Sequence, residues 1–335
     1  MQEKIIHALL KSEAYPHDAK EIRHIQTYIS HVFLTGKFAY KIKKPVDYGY
    51  LDFTTLEKRK KFCAREVELN RLLSPKMYLG VVAITDDGGE IKIEGNGEII
   101  EYAVKMLELP QDKMMSELLL KNVVTKEHIG QIAKIAAEFH TKAEVSVFDT
   151  KYGYIESLKF NWKENFEQTL SARASMGGAG DFDMIKEKIE KFMQEKKELF
   201  KKRIDGEKIR RCHGDMHAGN IFLDGNDVFI FDCIEFNERF VQYDVIADVA
   251  FFSMDLDVRE RCDLAEEFRL KYVELSGDNE LLQLLDFYKC YYAYVRFKIK
   301  MFTSVDEKIS EEERKLAEDD AKKYFLLAAS YAKNL

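Results

Sequence analysis

The sequence predicts an α+β protein with two lobes, a β-rich N-terminal lobe over residues 1–109 and a larger, mostly α-helical C-terminal lobe over residues 110–335. Before residue 109, short runs of alternating apolar and polar residues are bounded by turn residues, which is typical of antiparallel strands. After Pro110, apolar residues recur at helical spacing, and one short β-hairpin near residues 220–232 interrupts this pattern. A chain of 335 residues can bury a substantial core.

Composition narrows the class of protein. The chain has 52 Lys and Arg against 59 Asp and Glu, a formal charge of -7, which argues against affinity for nucleic acid and mildly favours small cationic partners. The five cysteines are odd in number and include no C-x-x-C pair, which favours a reducing, cytoplasmic location. The sequence shows neither a signal peptide nor an apolar run long enough to span a membrane.

The N-terminal lobe is predicted to contain three strands, one helix and then three more strands. The turn Thr35-Gly36-Lys37 joins two apolar runs and indicates an antiparallel hairpin, and the residues 86–89, DDGG, indicate another. The last strand, residues 99–106, ends shortly before Pro110, which cannot continue a central strand and fits a hinge.

The C-terminal lobe is predicted to be helical around its single hairpin. Helical spacing covers about residues 112–121, 125–141, 184–203, 242–257, 258–275, 279–303 and 310–333. An insertion-like stretch over residues 150–210 contains the Gly-rich segment SARASMGGAGD, which is typical of mobile loops.

The strand over residues 38–43, FAYKIK, carries two lysines on one face. Because side chains alternate along a strand, Ala39, Lys41 and Lys43 share a face. A nucleotide needs a small residue against its base and an ammonium at its phosphates, and Ala39 and Lys41 fit those needs. Lys43, about 6.6 Å further along, is the rival lysine. The other interpretation is a solvated edge strand whose lysines prevent pairing.

The following helix offers an independent check. Its apolar residues Phe62, Leu69 and Leu73 mark one face, and Glu66 falls on that face. A buried carboxylate is costly unless a cation pairs with it. We therefore predict an ion pair between Glu66 and Lys41, of the kind that fixes the phosphate-binding lysine in kinases.

The chemistry is predicted to lie at residues 213–235. Asp215 and Asn220 precede a hairpin, and Asp232 follows its second strand. Phosphoryl transfer needs a carboxylate to orient the acceptor and oxygen ligands for Mg²⁺, and the spacing D-x-x-x-x-N followed by D matches the catalytic and metal loops of kinases. His213 is interpreted as a residue that holds the backbone.

A metal-dependent hydrolase is an alternative for the same segment. His213, Asp215 and His217 alternate, and Asp232 and Glu235 lie downstream, so they could form a zinc or di-metal site. This alternative leaves Asn220 unused and predicts no ion pair between Lys41 and Glu66. Glu235 is also the best additional candidate beside the metal position of the kinase interpretation.

These motifs resemble a known family. FAYK with an inward Glu66, HGDMHAGN and FIFD resemble the aminoglycoside phosphotransferase-like small-molecule kinases, which share the bilobal protein-kinase-like fold. More narrowly, VFLTGKFAYKIKKPVDYGYLDFTTLEKR, REVELNRLLSPKMYLGVV and FDCIEFNERF are similar to a bacterial group of aminoglycoside phosphotransferase family enzymes. The resemblance covers about residues 20–300.

The resemblance implies a role for each matching residue. Asp215 corresponds to the catalytic base, Asn220 and Asp232 to the magnesium ligands, and Lys41 to the phosphate-binding lysine of an ATP site. Asp248 corresponds to the residue that braces the catalytic loop. Adenine is expected near Ala39, read by backbone groups of the segment from Met106 to Leu109.

The phosphate-binding turn departs from the protein-kinase pattern. The corresponding turn is Thr27-Tyr-Ile-Ser30, which has no glycine, so Thr27 and Ser30 are predicted to contact phosphate, with a purely turn-forming role as the alternative. No activation segment precedes Asp248, which weakens the case for a protein substrate.

The predicted acceptor is a small molecule with a hydroxyl group: an amino sugar, a sugar or an amino alcohol, so cationic acceptors are among the options. Recognition is expected from residues 150–210, and six acidic residues between Asp255 and Glu267 either attract cations or are merely solvated. Arg296 and its aromatic neighbours are interpreted as core and rim.

A catalytically inactive, nucleotide-binding module remains an alternative, and neither a nucleic acid nor a membrane is expected as a partner.

Overall fold

A computed structural model describes residues 2–146, 153–171 and 179–335, and it divides the chain into two compact units. Unit 1 comprises Met1–Val123 and Gly219–Phe240, and unit 2 comprises Val124–Ala218 and Val241–Leu335. The predicted α+β class is confirmed. The lobe boundary at Pro110 remains a prediction. Within the described ranges, no helix combines the length and apolar character needed to cross a membrane.

Unit 1 is built around a six-stranded antiparallel sheet in the order β1-β2-β3-β6-β4-β5. Its elements are α1 (Gln2–Leu9), β1 (Arg23–Gln26), β2 (Ser30–Leu34), β3 (Phe38–Lys43), α2 (Leu56–Asn70), β4 (Tyr78–Asp87), β5 (Glu90–Ile93), β6 (Glu98–Leu107), α3 (Met115–Leu120) and the hairpin β8 (Ile221–Asp224) and β9 (Asp227–Ile230). The predicted order of strands and helix is present, and α1 is an addition to it. Because β3 lies between β2 and β6, the interpretation of residues 38–43 as an edge strand is wrong.

Turn chemistry explains the hairpins. Gly36 has a φ of 85° and closes the turn in which Leu34 pairs with Ala39. Gly88 and Gly89, with φ of 61° and 101°, form the two-residue turn between β4 and β5. Glycine adopts these left-handed conformations without the steric cost that other residues meet. The two hairpins predicted from these turns are confirmed.

The sheet and its neighbours enclose two apolar cores in unit 1. One core is formed by residues of α1 with strand residues such as Phe33, Tyr40 and Ile84. The other joins Ala39 of β3 to Cys63 and Val67 of α2 and to aromatic residues of the β8–β9 hairpin. The hairpin is therefore packed against the same side of the sheet as α2, although more than a hundred residues separate them in the sequence.

Unit 2 is mostly helical. It contains α4 (Lys126–Lys142), α5 (Tyr154–Gln168), α6 (Ala179–Glu195), α7 (Lys197–Asp205), β7 (Ile209–Arg211), β10 (Gln242–Asp244), α8 (Ile246–Val258), α9 (Cys262–Ser276), α10 (Leu285–Ser304) and α11 (Glu311–Lys333).

Two helix predictions in unit 2 need correction, and one helix is additional. The helix expected over residues 184–203 is two helices, α6 and α7, and α5 was not expected. The helix expected from residue 242 begins at Ile246, because residues 242–244 instead pair with β7, and local periodicity does not reveal such a distant partner. Part of the insertion over residues 150–210 lies outside the described residues.

A buried arginine ties three segments of unit 2 together. Arg203, which is 1% exposed, donates from its Nε and Nη2 atoms to Asp244 at 2.7 and 2.6 Å, and from Nη1 to both carboxylate oxygens of Asp278 at 2.6 and 2.7 Å. This guanidinium joins α7 to β10 and to the loop after α9. Arg203 compensates the buried charge of Asp244, and it is the nearer of two cations at Asp278, whose other partner is Lys208 at 3.7 Å.

We expect Arg203→Met to lower the free energy of unfolding by about 3–5 kcal/mol, because it leaves Asp244 buried without a cation and Asp278 with only the Lys208 ammonium at 3.7 Å. The matched control is Lys202→Met, which removes only an exposed ion pair with Glu280 and should cost less than about 1 kcal/mol. Urea denaturation at neutral pH measures both. Equal losses in the two variants would contradict the structural role of Arg203.

Candidate active site

The β8–β9 hairpin brings the two predicted metal-ligand residues to one place in unit 1. The strands pair with Ile221 opposite Ile230, and the Phe231 N–H donates to the Asn220 carbonyl at 3.0 Å. Asn220 and Asp232 therefore lie at the open end of the hairpin, although they are twelve residues apart in the sequence. Amide and carboxylate oxygens are ligands that Mg²⁺ accepts.

The backbone at Asp232 is held in an unusual conformation. Asp232 has a φ of 65°, which is uncommon for a residue with a side chain and typical of functional sites. Three side chains support it: Ser74 donates to the last carbonyl of β9 at 2.7 Å, Asn70 accepts the Cys233 N–H at 2.9 Å, and the Tyr78 hydroxyl accepts the Asp232 N–H at 3.2 Å. The Asp232 side chain remains 42% exposed, so its carboxylate is accessible.

Lys41 contacts both predicted acidic partners within unit 1. Its Nζ lies 2.9 Å from Glu66 Oε1 and 2.5 Å from Asp232 Oδ1, so the predicted pair with Glu66 is present. Burial alone lowers the pKa of Lys41, but the charges of Asp232 and Glu66 raise it by more, and the pKa ends well above its ordinary value. The ammonium is therefore charged at neutral pH.

Lys43 is more deeply buried than Lys41. It is 0% exposed, its Nζ lies 2.7 Å from Glu66 Oε2 and also pairs with Glu235, and it sits 4.9 Å from the centre of the Phe53 ring. Lys41 is 11% exposed by comparison. The two lysines share Glu66, one on each oxygen, but Lys43 is enclosed by groups of the protein.

The two carboxylates that bind Lys43, Glu66 and Glu235, differ in the direction of their pKa shifts. Burial raises the pKa of Glu66, but Lys41 and Lys43 together lower it to about 2, so Glu66 is ionised at neutral pH. Burial and the neighbouring Glu66 charge raise the pKa of Glu235, although Lys43 opposes this. Because Glu235 is 5% exposed and bound to Lys43, it suits an internal brace better than an open metal ligand. This disfavours the hydrolase interpretation, which uses Glu235.

The predicted adenine region is apolar. Ala39, Met106 and Leu109 are 5%, 5% and 9% exposed, and they belong to one core cluster with side chains of the hairpin. The N–H groups of residues 107 and 108 donate to the carbonyls of Met77 and Lys37. The Leu109 N–H makes no hydrogen bond to any group in the described part of the chain.

The turn between β1 and β2 is stabilised by its own residues. The Ser30 N–H donates to Thr27 Oγ1 at 3.0 Å, and the Thr27 N–H donates to the Ser30 carbonyl at 2.9 Å. Thr27 is exposed, whereas Ser30 is 0% exposed. The turn-forming role of Thr27 is thus present, and phosphate contacts by these residues remain predictions.

In unit 2, Asp248 organises the loop that carries Asp215. Its carboxylate accepts the N–H groups of His213 at 2.7 Å and Gly214 at 3.0 Å and contacts His140 Nε2 at 2.9 Å. The buried His213 ring in turn accepts the Asp215 N–H at 3.2 Å. Asp248 therefore braces the loop and His213 holds its backbone, as predicted.

Asp215 is ionised and partly accessible. Its side chain is 37% exposed and lies 3.5 Å from His217 Nε2. Burial raises the pKa of Asp215, but His217 and Arg296 lower it by more, so the pKa falls well below its ordinary value. The pKa of His217 is raised in return, because Asp215 outweighs the effect of burial.

Sequence reasoning missed several residues that position the site. His140 on α4 supports Asp248, and Asn70 and Tyr78 support the segment at Asp232. Nothing in a single sequence marks His140, which lies at helical spacing among apolar residues. His140 also forms a buried group with Cys212 and Asp248 whose potential ligand atoms lie within 4.8 Å of one another.

The acidic residues between Asp255 and Glu267 do not form an open anionic surface. Asp255 binds Arg259 and the Ala218 N–H, and Asp257 binds Lys289. Three others pair with basic residues: Asp263 with Arg261, Glu266 with Arg269, and Glu267 with Lys126. Of the six acidic residues, Glu260 alone lacks an ion pair within the residues that the structure describes.

Part of the chain matches a known protein family. Residues 121–283 match the model of the family described as "Phosphotransferase enzyme family". The chain is 32% identical over 276 residues to the uncharacterized proteins Rv2004c of Mycobacterium tuberculosis and Mb2027c of Mycobacterium bovis. The match covers 82% of this chain and 54% of each relative, so the chain spans about half the length of these relatives.

Solved structures share the fold. The ADP-bound aminoglycoside phosphotransferase APH(2'')-Ib superposes with a TM-score of 0.53 at 15% identity, over 99% of both chains. A choline/ethanolamine kinase family protein from Mesorhizobium loti gives a TM-score of 0.55 at 12% identity, over 99% of this chain and 100% of that one. The predicted resemblance is confirmed.

We expect Lys43→Met to lower the free energy of unfolding by about 3–5 kcal/mol at pH 7, because Glu66 and Glu235 lose a buried cation. The loss should shrink as the pH falls below about 4.5, because Glu66, with its folded-state pKa lowered to about 2, contributes stability that is present above its ordinary pKa and lost on acidification. Urea denaturation across this pH range checks both statements.

The control is Lys37→Met in the exposed turn before β3, which should change stability little at any pH. A pH-independent loss in Lys43→Met would show that Lys43 acts through packing alone.

Proposed function

Because residues 121–283 carry the pattern of the phosphotransferase enzyme family, we propose that this protein transfers the γ-phosphate of ATP to a hydroxyl group of a small molecule. The observation that carries the proposal is Lys41, whose ammonium contacts both Glu66 and Asp232. Such an arrangement fixes a lysine for phosphate binding and keeps it next to a metal-ligand carboxylate. Nothing in a hydrolase site requires it.

Of the two lysines, Lys41 is the proposed phosphate contact. It is partly exposed and lies beside the accessible Asp232, whereas Lys43 is enclosed by Glu66, Glu235 and Phe53. Lys43 is proposed to orient the Glu66 carboxylate by binding its Oε2 atom. This assignment leaves Lys41 free to exchange part of its contact with Asp232 for a phosphate oxygen.

The nucleotide base is proposed to bind beside Ala39, with the free Leu109 N–H as a hydrogen-bond donor to adenine. The cluster around Ala39 and Met106 supplies an apolar surface suited to a flat base. Thr27, at the exposed turn before β2, is proposed as a phosphate contact. Ser30 is buried and is proposed to stabilise this turn through its backbone hydrogen bonds with Thr27.

Magnesium fits the donor set at the open end of the hairpin. Asn220 and Asp232 offer amide and carboxylate oxygens, the ligands that this hard cation prefers, and the Asp232 carboxylate is accessible. Bound there, the ion would neutralise phosphate charge. The chain's own contribution is to hold Asp232 in place through Asn70, Ser74 and Tyr78.

Asp215 is proposed to orient the acceptor hydroxyl and accept its proton. A bond forms between the acceptor oxygen and the γ-phosphorus, the bond from that phosphorus to the bridging oxygen breaks, and ADP leaves. Because the transition state is loose, a weakly basic carboxylate suffices, and positioning with charge neutralisation supplies most of the rate. Asp215 lies five residues before Asn220, so one short loop carries both roles.

A catalytically inactive nucleotide-binding module is the alternative to an enzyme. It is distinguished by two measurements on the same protein: the thermal shift produced by MgATP, and phosphate transfer from radiolabelled ATP to a panel of aminoglycosides, sugars and amino alcohols. MgATP stabilisation without transfer to any acceptor, and without ATP hydrolysis, would favour the inactive module.

We expect Asp215→Asn to lower kcat by about 10²–10⁴ while leaving MgATP stabilisation intact, because the variant keeps the shape of the side chain but cannot accept a proton. In the wild type, the lowered pKa of Asp215 keeps the base ionised through pH 5–8, so its protonation should not limit kcat there. Steady-state kinetics and thermal shift check both. Full activity in Asp215→Asn would overturn the assignment.

We expect Asp232→Asn to reduce stabilisation by ATP only when Mg²⁺ is present, because the variant loses an anionic metal ligand. The comparison is a thermal shift with ATP and either Mg²⁺ or EDTA. The control is Asp227→Asn, which changes a residue of the same hairpin and removes only its exposed ion pair with Lys76. An unchanged Mg²⁺ dependence in Asp232→Asn would contradict its role as a ligand.

A further inference from the structure

We infer that the phosphate acceptor carries an oxyanion, a carboxylate or a phosphate, near its reacting hydroxyl, and that Arg296 binds it. This inference rests on the proposed function and specifies its substrate class. It replaces the expectation that Arg296 is only part of the core and rim, and it reverses the expected preference for a cationic acceptor.

Contacts between two helices and the catalytic loop place Arg296 near Asp215. The Tyr292 ring of α10 stacks on Phe251 of α8 with centroids 4.3 Å apart, and Phe251 also contacts the His217 ring at 5.8 Å. His217 in turn lies 3.5 Å from Asp215. This stack fixes one turn of α10 against the loop that carries the proposed base.

Arg296 lies one helical turn beyond Tyr292 and therefore on the same side of α10. One turn beyond Phe251 on α8 is Asp255, which accepts the Ala218 N–H of the catalytic loop at 2.9 Å. The guanidinium of Arg296 also lies over the Tyr324 ring of α11, 5.7 Å from its centre. Arg296 therefore stands beside the loop over residues 215–218, supported by an aromatic ring.

The guanidinium of Arg296 has no carboxylate partner in the part of the chain that the structure describes. Asp255 is already bound by Arg259, and Asp215 is paired with His217. Arg203, by contrast, has two carboxylates. Burial lowers the pKa of Arg296, but Tyr324, Asp215 and Asp255 raise it by more, so the half-buried guanidinium stays charged. Its planar fork, which forms no ion pair within the described residues, matches carboxylate and phosphate oxygens.

The surroundings also argue against a cationic acceptor. The acidic residues between Asp255 and Glu267 are almost all neutralised by basic residues of the protein, as described above. An ammonium group bound beside Asp215 would face the positive charge of Arg296, and the two nearest carboxylates, Asp215 and Asp255, already interact with His217 and Arg259. Electrostatic complementarity therefore favours an acceptor with a negative charge, such as a hydroxy acid or a sugar phosphate.

The test compares acceptors that share a scaffold and differ in charge: glucose, glucosamine, glucuronate and glucose 6-phosphate, and in a second set ethanolamine, glycolate and glycerate. Binding is measured by thermal shift in the presence of MgADP, and phosphorylation by transfer from ATP. The variants are Arg296→Gln and Arg296→Lys, and the control is Arg314→Gln on α11. The melting temperature of each variant without ligand verifies folding.

We expect the carboxylate or phosphate member of a set to bind more tightly than its neutral and cationic counterparts. Arg296→Gln should weaken that member about 10–100-fold, the effect of losing a charge-assisted hydrogen bond, while the KM for ATP stays unchanged. Arg296→Lys should retain part of the affinity. A response to glucuronate alone or to glucose 6-phosphate alone identifies the oxyanion.

Preferred binding of a cationic or neutral member would overturn the inference. Anion binding that Arg296→Gln leaves unchanged would do the same, and so would the absence from both sets of any compound whose binding depends on Arg296. These outcomes are separate from failure of the proposed function. The latter appears as a lack of MgATP stabilisation or as unchanged transfer in Asp215→Asn, and anion binding is measured without turnover.

Discussion

Glu66 is the charge on which unit 1 depends. Its two carboxylate oxygens each bind a lysine of β3, and those lysines reach Asp232 and Glu235 on the segment after β9. Because all these groups except Asp232 are largely withdrawn from solvent, each ion is stable only while its partners are present. One carboxylate on α2 thus couples the central strand of the sheet to the segment that carries the proposed metal ligand.

The end of the same helix and the turn that follows it support that segment by neutral hydrogen bonds. Asn70, one turn after Glu66, accepts the Cys233 N–H and donates to the Glu66 carbonyl, and Ser74 caps the end of β9. These contacts compensate for the left-handed backbone at Asp232, which otherwise costs about 1–3 kcal/mol. A rotation of α2 would therefore disturb both the lysine pair and the conformation of Asp232, which makes α2 the element that sets the geometry of unit 1.

The sequence was informative where two periodicities could be combined. A period of two placed Lys41 and Lys43 on one face of β3, and a period near 3.6 placed Glu66 on the buried face of α2, so their pairing was predictable. The partner of Lys43 was not, because Glu235 follows β9 and no local pattern links it to β3. The strand at residues 242–244 was missed for the same reason: its partner, β7, is distant in the sequence. The binding role inferred for Arg296 was not predictable either, because helical spacing gives the side of a helix but not the charge of the groups that it faces.

The two units use charge in different ways, and this difference fits the ligands proposed for each of them. Unit 1 surrounds its lysines with carboxylates, so under the proposed function the phosphates of a nucleotide and a metal ion would replace existing charge pairs instead of meeting unpaired ions. Unit 2 pairs most of the acidic residues between Asp255 and Glu267 with its own basic residues, and the Arg296 guanidinium lies over the Tyr324 ring without an ion pair within the described residues. Asp215 is the common element, because its low pKa depends on His217 and Arg296 while its loop leads within five residues to Asn220. An anionic acceptor that binds Arg296 would withdraw part of that positive field from Asp215, raise the basicity of the carboxylate, and so couple acceptor binding to proton acceptance.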